Sequence, residues 1–145
     1  SALAADDPQA ASIAVADLRQ SLSSINAQSL SGKAMERWNA ESKSISSIVA
    51  GLSNASDLTS LRSAFALMSD ELLTLHRTFG LPNSDQLFEL HCPMAFDGRG
   101  ASWIQADDAV RNPYYGASML KCADKVEKLG VEGLGGGSNV KPHQH

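Results

Sequence analysis

The sequence predicts an all-α fold, namely a four-helix up-and-down bundle with a short β-hairpin before the last helix. Apolar residues recur at three- and four-residue steps through most of the chain before Gly80. A strand–turn–strand pattern follows Pro82, and residues 115–129 then resemble one more helix. Short connections make neighbouring helices antiparallel, so we expect an up-and-down arrangement.

Three amphipathic helices are predicted first. Residues 9–27 and 31–52 each carry an apolar stripe, and the small and polar residues between them interrupt it. The third helix has the most regular stripe. Asp57 or Ser56 can cap it, and Gly80 followed by Leu81 and Pro82 ends it. Its stripe consists of Leu58, Leu61, Phe65, Met68, Leu72, Leu75 and Phe79.

The remaining elements are a hairpin and a fourth helix. Residues 86–92 and 101–105 predict two strands, because the turn signal DGRG separates them. The fourth helix is expected to begin near Tyr115 or Gly116 and to run to Leu129. The expected organisation is a flexible start at 1–8, a helical-bundle domain at 9–129 and a flexible tail at 130–145.

Composition excludes several classes of function. Of the 145 residues, 43% are hydrophobic and 19% are charged, which is typical of one globular domain. The net charge of −4 and the lack of a Lys/Arg run argue against a nucleic-acid partner. No apolar stretch is long enough for a membrane span. We expect no enzyme, because neither a nucleophile-elbow motif nor a glycine-rich phosphate loop is present.

The first five residues, SALAA, resemble the small-residue end of a signal peptide. An alanine-rich terminus is the other interpretation. We expect a periplasmic or otherwise exported protein, an environment in which two cysteines ordinarily form a structural disulfide.

Four sulfur-containing residues suggest a metal site: Cys92, Met94, Met119 and Cys122. In an extended segment Cys92 and Met94 point to the same side, and in a helix Met119 and Cys122 share a face. The two pairs could therefore converge. Thiolate and thioether ligands select Cu(I) over hard ions such as Mg²⁺. The sequence thus predicts a copper site, with Cu(I) favoured.

Alternatives stay open for each of these residues. Cys92 and Cys122 could form a disulfide, and methionines commonly fill protein cores. His91 is a further candidate ligand, although an alternating strand sends it to the side opposite Cys92. His76 is expected to be structural, and His143 and His145 lie in the polar tail.

Several motifs between residues 62 and 126 carry a family resemblance. They are Arg62 with Phe65, CPMA at 92–95, GASWIQ at 100–105, NPYYG at 112–116, and Met119 with Cys122. Together they resemble a small exported domain of unknown function. That domain occurs alone or fused to periplasmic adaptor subunits of copper and silver efflux systems. The preceding helices match it only in length and character, and Ala123 stands where the family usually has glycine.

The resemblance implies heavy-metal binding, and the expected partners are a copper efflux adaptor or a copper chaperone. The expected function is extracytoplasmic Cu(I) capture, buffering or delivery linked to efflux. The alternative is a disulfide-stapled protein–protein interaction module without metal. The sequence does not indicate an oligomeric state.

Overall fold

The structure, a computed structural model, describes residues 1–80 and 86–130. Over these ranges the chain folds into a helical part followed by an antiparallel sheet. The helices are α1 (Pro8–Ser23), α2 (Gly32–Asn54) and α3 (Leu58–Phe79). The sheet region contains β1 (Phe88–Cys92), a short helical turn α4 (Ala95–Gly98), β2 (Ala101–Gln105), a 3₁₀ turn (Gly116–Met119) and β3 (Lys125–Lys128).

The helix ends follow local capping chemistry. The Asp7 side chain accepts the N–H of Ala10. Pro8 is the first residue of α1, where a backbone N–H would have no partner within the helix, so the N–H that proline lacks is not missed. Asp57 caps α3 in the same way by accepting the N–H of Ser60 at 2.9 Å. Gly80 follows α3 with φ of 75°, a conformation that glycine adopts at little cost. The three long helices are confirmed, although α1 ends at Ser23, earlier than predicted.

The helices bury a common apolar core. Val15 of α1, Ile45 and Val49 of α2, and Leu61 and Met68 of α3 form its centre. These residues lie on the stripes that the sequence spacing predicted, so burial of the stripes holds the three helices together.

The sheet has β1 in its centre, with the order β2-β1-β3 among the described residues. β1 pairs antiparallel with β2, so that Leu90 faces Trp103, and this confirms the predicted hairpin. The connecting turn uses positive φ angles at Phe96 (52°), Asp97 (58°) and Gly98 (83°). The sheet packs beside α3 over a second core, whose buried residues are Leu90, Cys92, Ala95, Trp103 and Tyr114.

The predicted four-helix bundle is wrong, because no fourth long helix forms within the described residues. The chain that was expected to be helical from Tyr115 to Leu129 makes only the 3₁₀ turn and then β3. The second edge of β1 offers unpaired backbone groups, and β3 satisfies them by pairing antiparallel. The fold is therefore a mixed one of helices and an antiparallel sheet.

The two ends of the chain differ in what the structure describes. Leu3 and Ala4 are buried, and the Arg62 guanidinium donates to the Leu3 oxygen at 3.0 Å. Most of the predicted tail, including His143 and His145, lies outside the described residues, as do Leu81 and Pro82. The expected division into start, domain and tail stays a prediction. No helix in the described ranges is long and apolar enough to cross a membrane.

Candidate metal centre

The two cysteines meet where β1 ends. Their sulfur atoms lie 3.3 Å apart, and both are free thiols. Cys92 is the last residue of β1 and is 0% exposed, whereas Cys122 is partly exposed on the turn before β3. Residues 30 positions apart in sequence are thus brought into direct contact by the sheet.

Asn112 holds the turn that carries Cys122. Its side chain is fully buried, and its amide nitrogen donates to the Cys122 oxygen at 2.9 Å. Its side-chain oxygen accepts the N–H groups of Tyr114 and Tyr115, while its own backbone N–H donates to the Leu120 oxygen. An asparagine before proline is suited to this local bonding. The NPYYG segment therefore acts as the support of the Cys122 turn.

A second set of contacts fixes the same segment from outside. The Arg62 Nε donates to the Pro113 oxygen at 2.8 Å, and its Nη2 donates to the Asp6 carboxylate at 2.6 Å. The other Asp6 oxygen accepts the N–H of Ala117. These bonds lower the pKa of Asp6, the Ala117 N–H being the largest cause. Gly116, at φ of 58°, leaves room for this carboxylate.

Aromatic rings form an apolar wall beside the buried thiol. Tyr114 packs against Phe65, Phe96 and Trp103, with ring centroids 5.5–6.0 Å apart. Burial raises the pKa of Tyr114, whose hydroxyl donates to the Ser102 oxygen. Cys92 belongs to the same buried cluster, and Cys122 packs against it. The wall shields the inner face of the thiol pair from water.

The local electrostatics favour the protonated form of Cys122. The hydrogen bond shared with Cys92 raises its pKa most, followed by burial and by the nearby charges of Cys92 and Asp124. The main-chain N–H of Met94 acts in the opposite direction by bonding to the sulfur. A compensating positive charge such as a bound metal ion would favour deprotonation of Cys122.

The candidate methionines lie nearby in sequence but not on the predicted elements. β1 ends at Cys92, so Met94 is not part of an extended pair with it, and its side chain is 51% exposed. The hydroxyl of Tyr115 donates to the Met94 oxygen at 2.6 Å. Met119 and Cys122 do not lie on the predicted helix, because the 3₁₀ turn ends at Met119 and the Cys122 N–H donates to the Met119 oxygen in the turn that follows. Neither pair lies on the element that was predicted for it.

The candidate histidines are engaged elsewhere. His91 lies on the face of β1 opposite Cys92, and its Nδ1 is 2.7 Å from an Asp124 carboxylate oxygen. His76 Nε2 lies 2.6 Å from the Gly130 oxygen and borders an apolar cavity of about 490 Å³ that does not include the cysteines. Neither ring joins the thiol pair in this geometry.

A family of proteins of unknown function, DUF3347, matches residues 1–84. The chain belongs to this family. The match covers more than half of the chain and contains α1, α2 and α3. The match confirms a domain of unknown function. It lies on the three helices, whereas the resemblance was expected to rest on the motifs between residues 62 and 126. Cys92 and Cys122 lie beyond it.

Comparisons with other proteins add no activity to this DUF3347 chain. No curated protein matches it, and no solved structure does. Within residues 1–80 and 86–130, no group of three or more His, Cys, Asp or Glu side chains is arranged to hold a metal ion. A site of two cysteine thiolates and methionine sulfurs contains only two side chains of these four types, so this finding does not bear on it.

Two residues of the DUF3347 chain gained roles that the sequence interpretation had missed. Asp124 bonds to His91 and lies near Cys122. Asn112, which was named from the sequence only as part of the NPYYG motif, supports the Cys122 turn. The Asn-Pro pair was a usable signal for Asn112, since asparagine side chains bond to backbone groups in turns. Nothing in the local sequence marks Asp124, because its partner is 33 positions away.

Proposed function

We propose that this chain captures Cu(I) through the thiolates of Cys92 and Cys122. The observation that carries the proposal is the 3.3 Å separation of the two sulfur atoms. Thiolates prefer soft ions, and two adjacent thiolates supply the charge and softness that Cu(I) needs. The apolar wall behind Cys92 would protect the bound ion from water and oxidants.

The geometry needs only a small adjustment to take an ion. Metal–thiolate bonds are about 2.3 Å long for zinc, so two such bonds can span sulfur atoms as much as about 4.6 Å apart. The pair would open from 3.3 Å by a rotation of the partly exposed Cys122 side chain, while Asn112 holds its backbone. Met94 and Met119 are the candidates for a further sulfur ligand, and His91 would first have to leave Asp124.

The proposal also covers where the protein acts and which proteins it works with. We place the protein outside the cytoplasm, where it would buffer Cu(I) or deliver it to an efflux adaptor or chaperone. These points rest on the sequence motifs and on the chemistry of the thiol pair. Because both thiols must lose their protons, we expect Cu(I) affinity to fall as pH falls.

The same sulfur separation also favours a second function, a disulfide-stapled interaction module without metal. A disulfide between the end of β1 and the turn before β3 would join the two segments covalently. Closing a loop of this length stabilises a protein by about 3–4 kcal/mol in the chain-entropy model. In that case the chain would bind no metal in its working state.

A competition titration separates the two functions. The reduced chain is titrated with Cu(I) against a coloured chelator such as bicinchoninate, alongside Cys92→Ser, Cys122→Ser, Met94→Leu and Met119→Leu. We expect one Cu(I) per chain, loss of competition in both serine variants, and a loss of affinity on the order of tenfold in whichever methionine variant removes a ligand. Met35→Leu, a helical methionine, is the matched control. Equal affinity of wild type and both serine variants would overturn the proposal.

A further inference from the structure

The two thiols differ sharply in their access to solvent. Cys92 is 0% exposed beneath the second core, so a molecule the size of a tripeptide cannot reach its sulfur. Cys122 is partly exposed on its turn, and its sulfur touches that of Cys92 at 3.3 Å. Thiol–disulfide exchange depends on access to the attacking sulfur. This asymmetry therefore assigns different roles to the two residues.

We propose that the pair is a site of thiol–disulfide exchange with small disulfides such as glutathione disulfide, with Cys122 as the attacking thiol and Cys92 as the resolving thiol. The inference goes beyond copper capture and does not depend on it. It adds a reaction, the reversible oxidation of this pair, and a chemical class of reactant.

The exchange proceeds in two balanced steps. The Cys122 thiolate attacks one sulfur of the small disulfide, the sulfur–sulfur bond of that molecule breaks, and one glutathione leaves as a thiolate that takes up a proton. Cys92, already 3.3 Å from the Cys122 sulfur, then attacks it after giving up its proton. The second glutathione leaves as a thiol. The two cysteine thiols lose two electrons and two protons in total, and the small disulfide is reduced to two thiols.

The first step needs a collision between the small disulfide and the partly exposed sulfur of Cys122. The sulfur of Cys92 lies beneath the second core, so the same collision cannot take place there.

The second step has the opposite character. It occurs within one molecule between atoms already in contact, so it does not wait for a collision. The buried position of Cys92 keeps that sulfur from reacting with a second small disulfide to form a separate adduct. In the wild-type chain the mixed disulfide is therefore short-lived, and the internal disulfide is the product that accumulates.

Mass measurement of the reduced, metal-free full chain tests the proposal. After incubation with glutathione disulfide, we expect wild type to lose two hydrogens without a stable adduct. Cys92→Ser should accumulate one glutathione on Cys122, and Cys122→Ser should react at least about tenfold more slowly. The same series in denaturant is the control, because there both single variants should react alike.

Two results would overturn the assignment. One is that folded Cys122→Ser gains glutathione as fast as folded Cys92→Ser. The other is that wild type stops at the glutathione adduct. Cys92→Ala and Cys122→Ala repeat the comparison if a serine variant fails to fold. The experiment contains no copper, so its failure leaves the copper titration unaffected, and a negative copper titration leaves this exchange intact.

Discussion

The side-chain amide of Asn112 donates to the main-chain oxygen of Cys122 across 2.9 Å. The bond joins a fully buried residue to the partly exposed cysteine of the thiol pair. Through it, the NPYYG segment sets where the Cys122 sulfur lies relative to Cys92. The position of the thiol pair thus depends on a residue that carries no sulfur.

Replacing Asn112 with alanine should destabilise the chain by about 2–3 kcal/mol, because the buried N–H of Tyr114 and the partly buried N–H of Tyr115 lose their acceptor. Urea unfolding measures the free energy. Asn39→Ala, at an exposed position of α2, is the matched control and should change stability by less than about 0.5 kcal/mol. Equal stability of the two variants would show that the Asn112 bonds contribute little.

Gly116→Ala should destabilise the chain by about 2–3 kcal/mol. Gly116 has φ of 58°, and an added Cβ would overlap the Asp6 carboxylate. Gly51→Ala is the control, since nothing lies within 4 Å of its added Cβ in α2, and it should stabilise by about 0.5–1 kcal/mol. Thermal unfolding of the two variants checks the signs. If Gly116→Ala stabilised the chain instead, the close approach of the Asp6 carboxylate would not be the reason for glycine at this position.

Glu71 gives the helical part a defined pH dependence. A hydrogen bond shared with Glu41, then burial and the Glu41 charge, raise the pKa of Glu71 above its usual 4.5. The folded state therefore holds this proton more tightly than the unfolded chain, so its stabilising contribution is complete below pH 4.5 and is lost as pH rises through the raised value.

Glu71→Gln keeps a hydrogen-bond donor toward Glu41 at every pH. The stability of this variant relative to wild type should therefore increase as pH rises above 4.5. Urea unfolding of both proteins between pH 4 and pH 8, roughly the range over which shifted carboxyl groups titrate, supplies the comparison. Glu36→Gln, at an exposed position of α2, is the control. A constant difference across the range would show that Glu71 titrates normally.

The sequence predicted the elements whose signals are local. The stripe from Leu58 to Phe79 and the Asp57 cap specify α3, and the DGRG turn between two apolar runs specifies the hairpin. The last element, β3, forms because it pairs with β1, which is distant in sequence. Residues 125–128 became a strand because β1 had a free edge to pair with, which no local pattern reveals.

The site was predictable in composition but not in geometry. Cys92 and Cys122 were expected to converge, and their sulfurs do meet. The reason given for Met94 was wrong because β1 ends at Cys92. The reason for Met119 was wrong because the long helix predicted from Tyr115 to Leu129 does not form, and the 3₁₀ turn that contains Met119 ends before Cys122. The role of Asp124 could not be found from sequence, since its partner His91 lies 33 positions away. Whether methionine sulfur joins a metal stays a prediction.

X-ray absorption at the copper edge of the Cu(I)-loaded chain tests the central claim most directly. The account predicts that sulfur atoms alone surround the ion, and that the spectrum is lost when Cys92 and Cys122 are both changed to serine. His91→Ala should leave it unchanged, because that ring is bonded to Asp124 and faces away from Cys92. Nitrogen or oxygen neighbours that persist in the double serine variant would contradict the account.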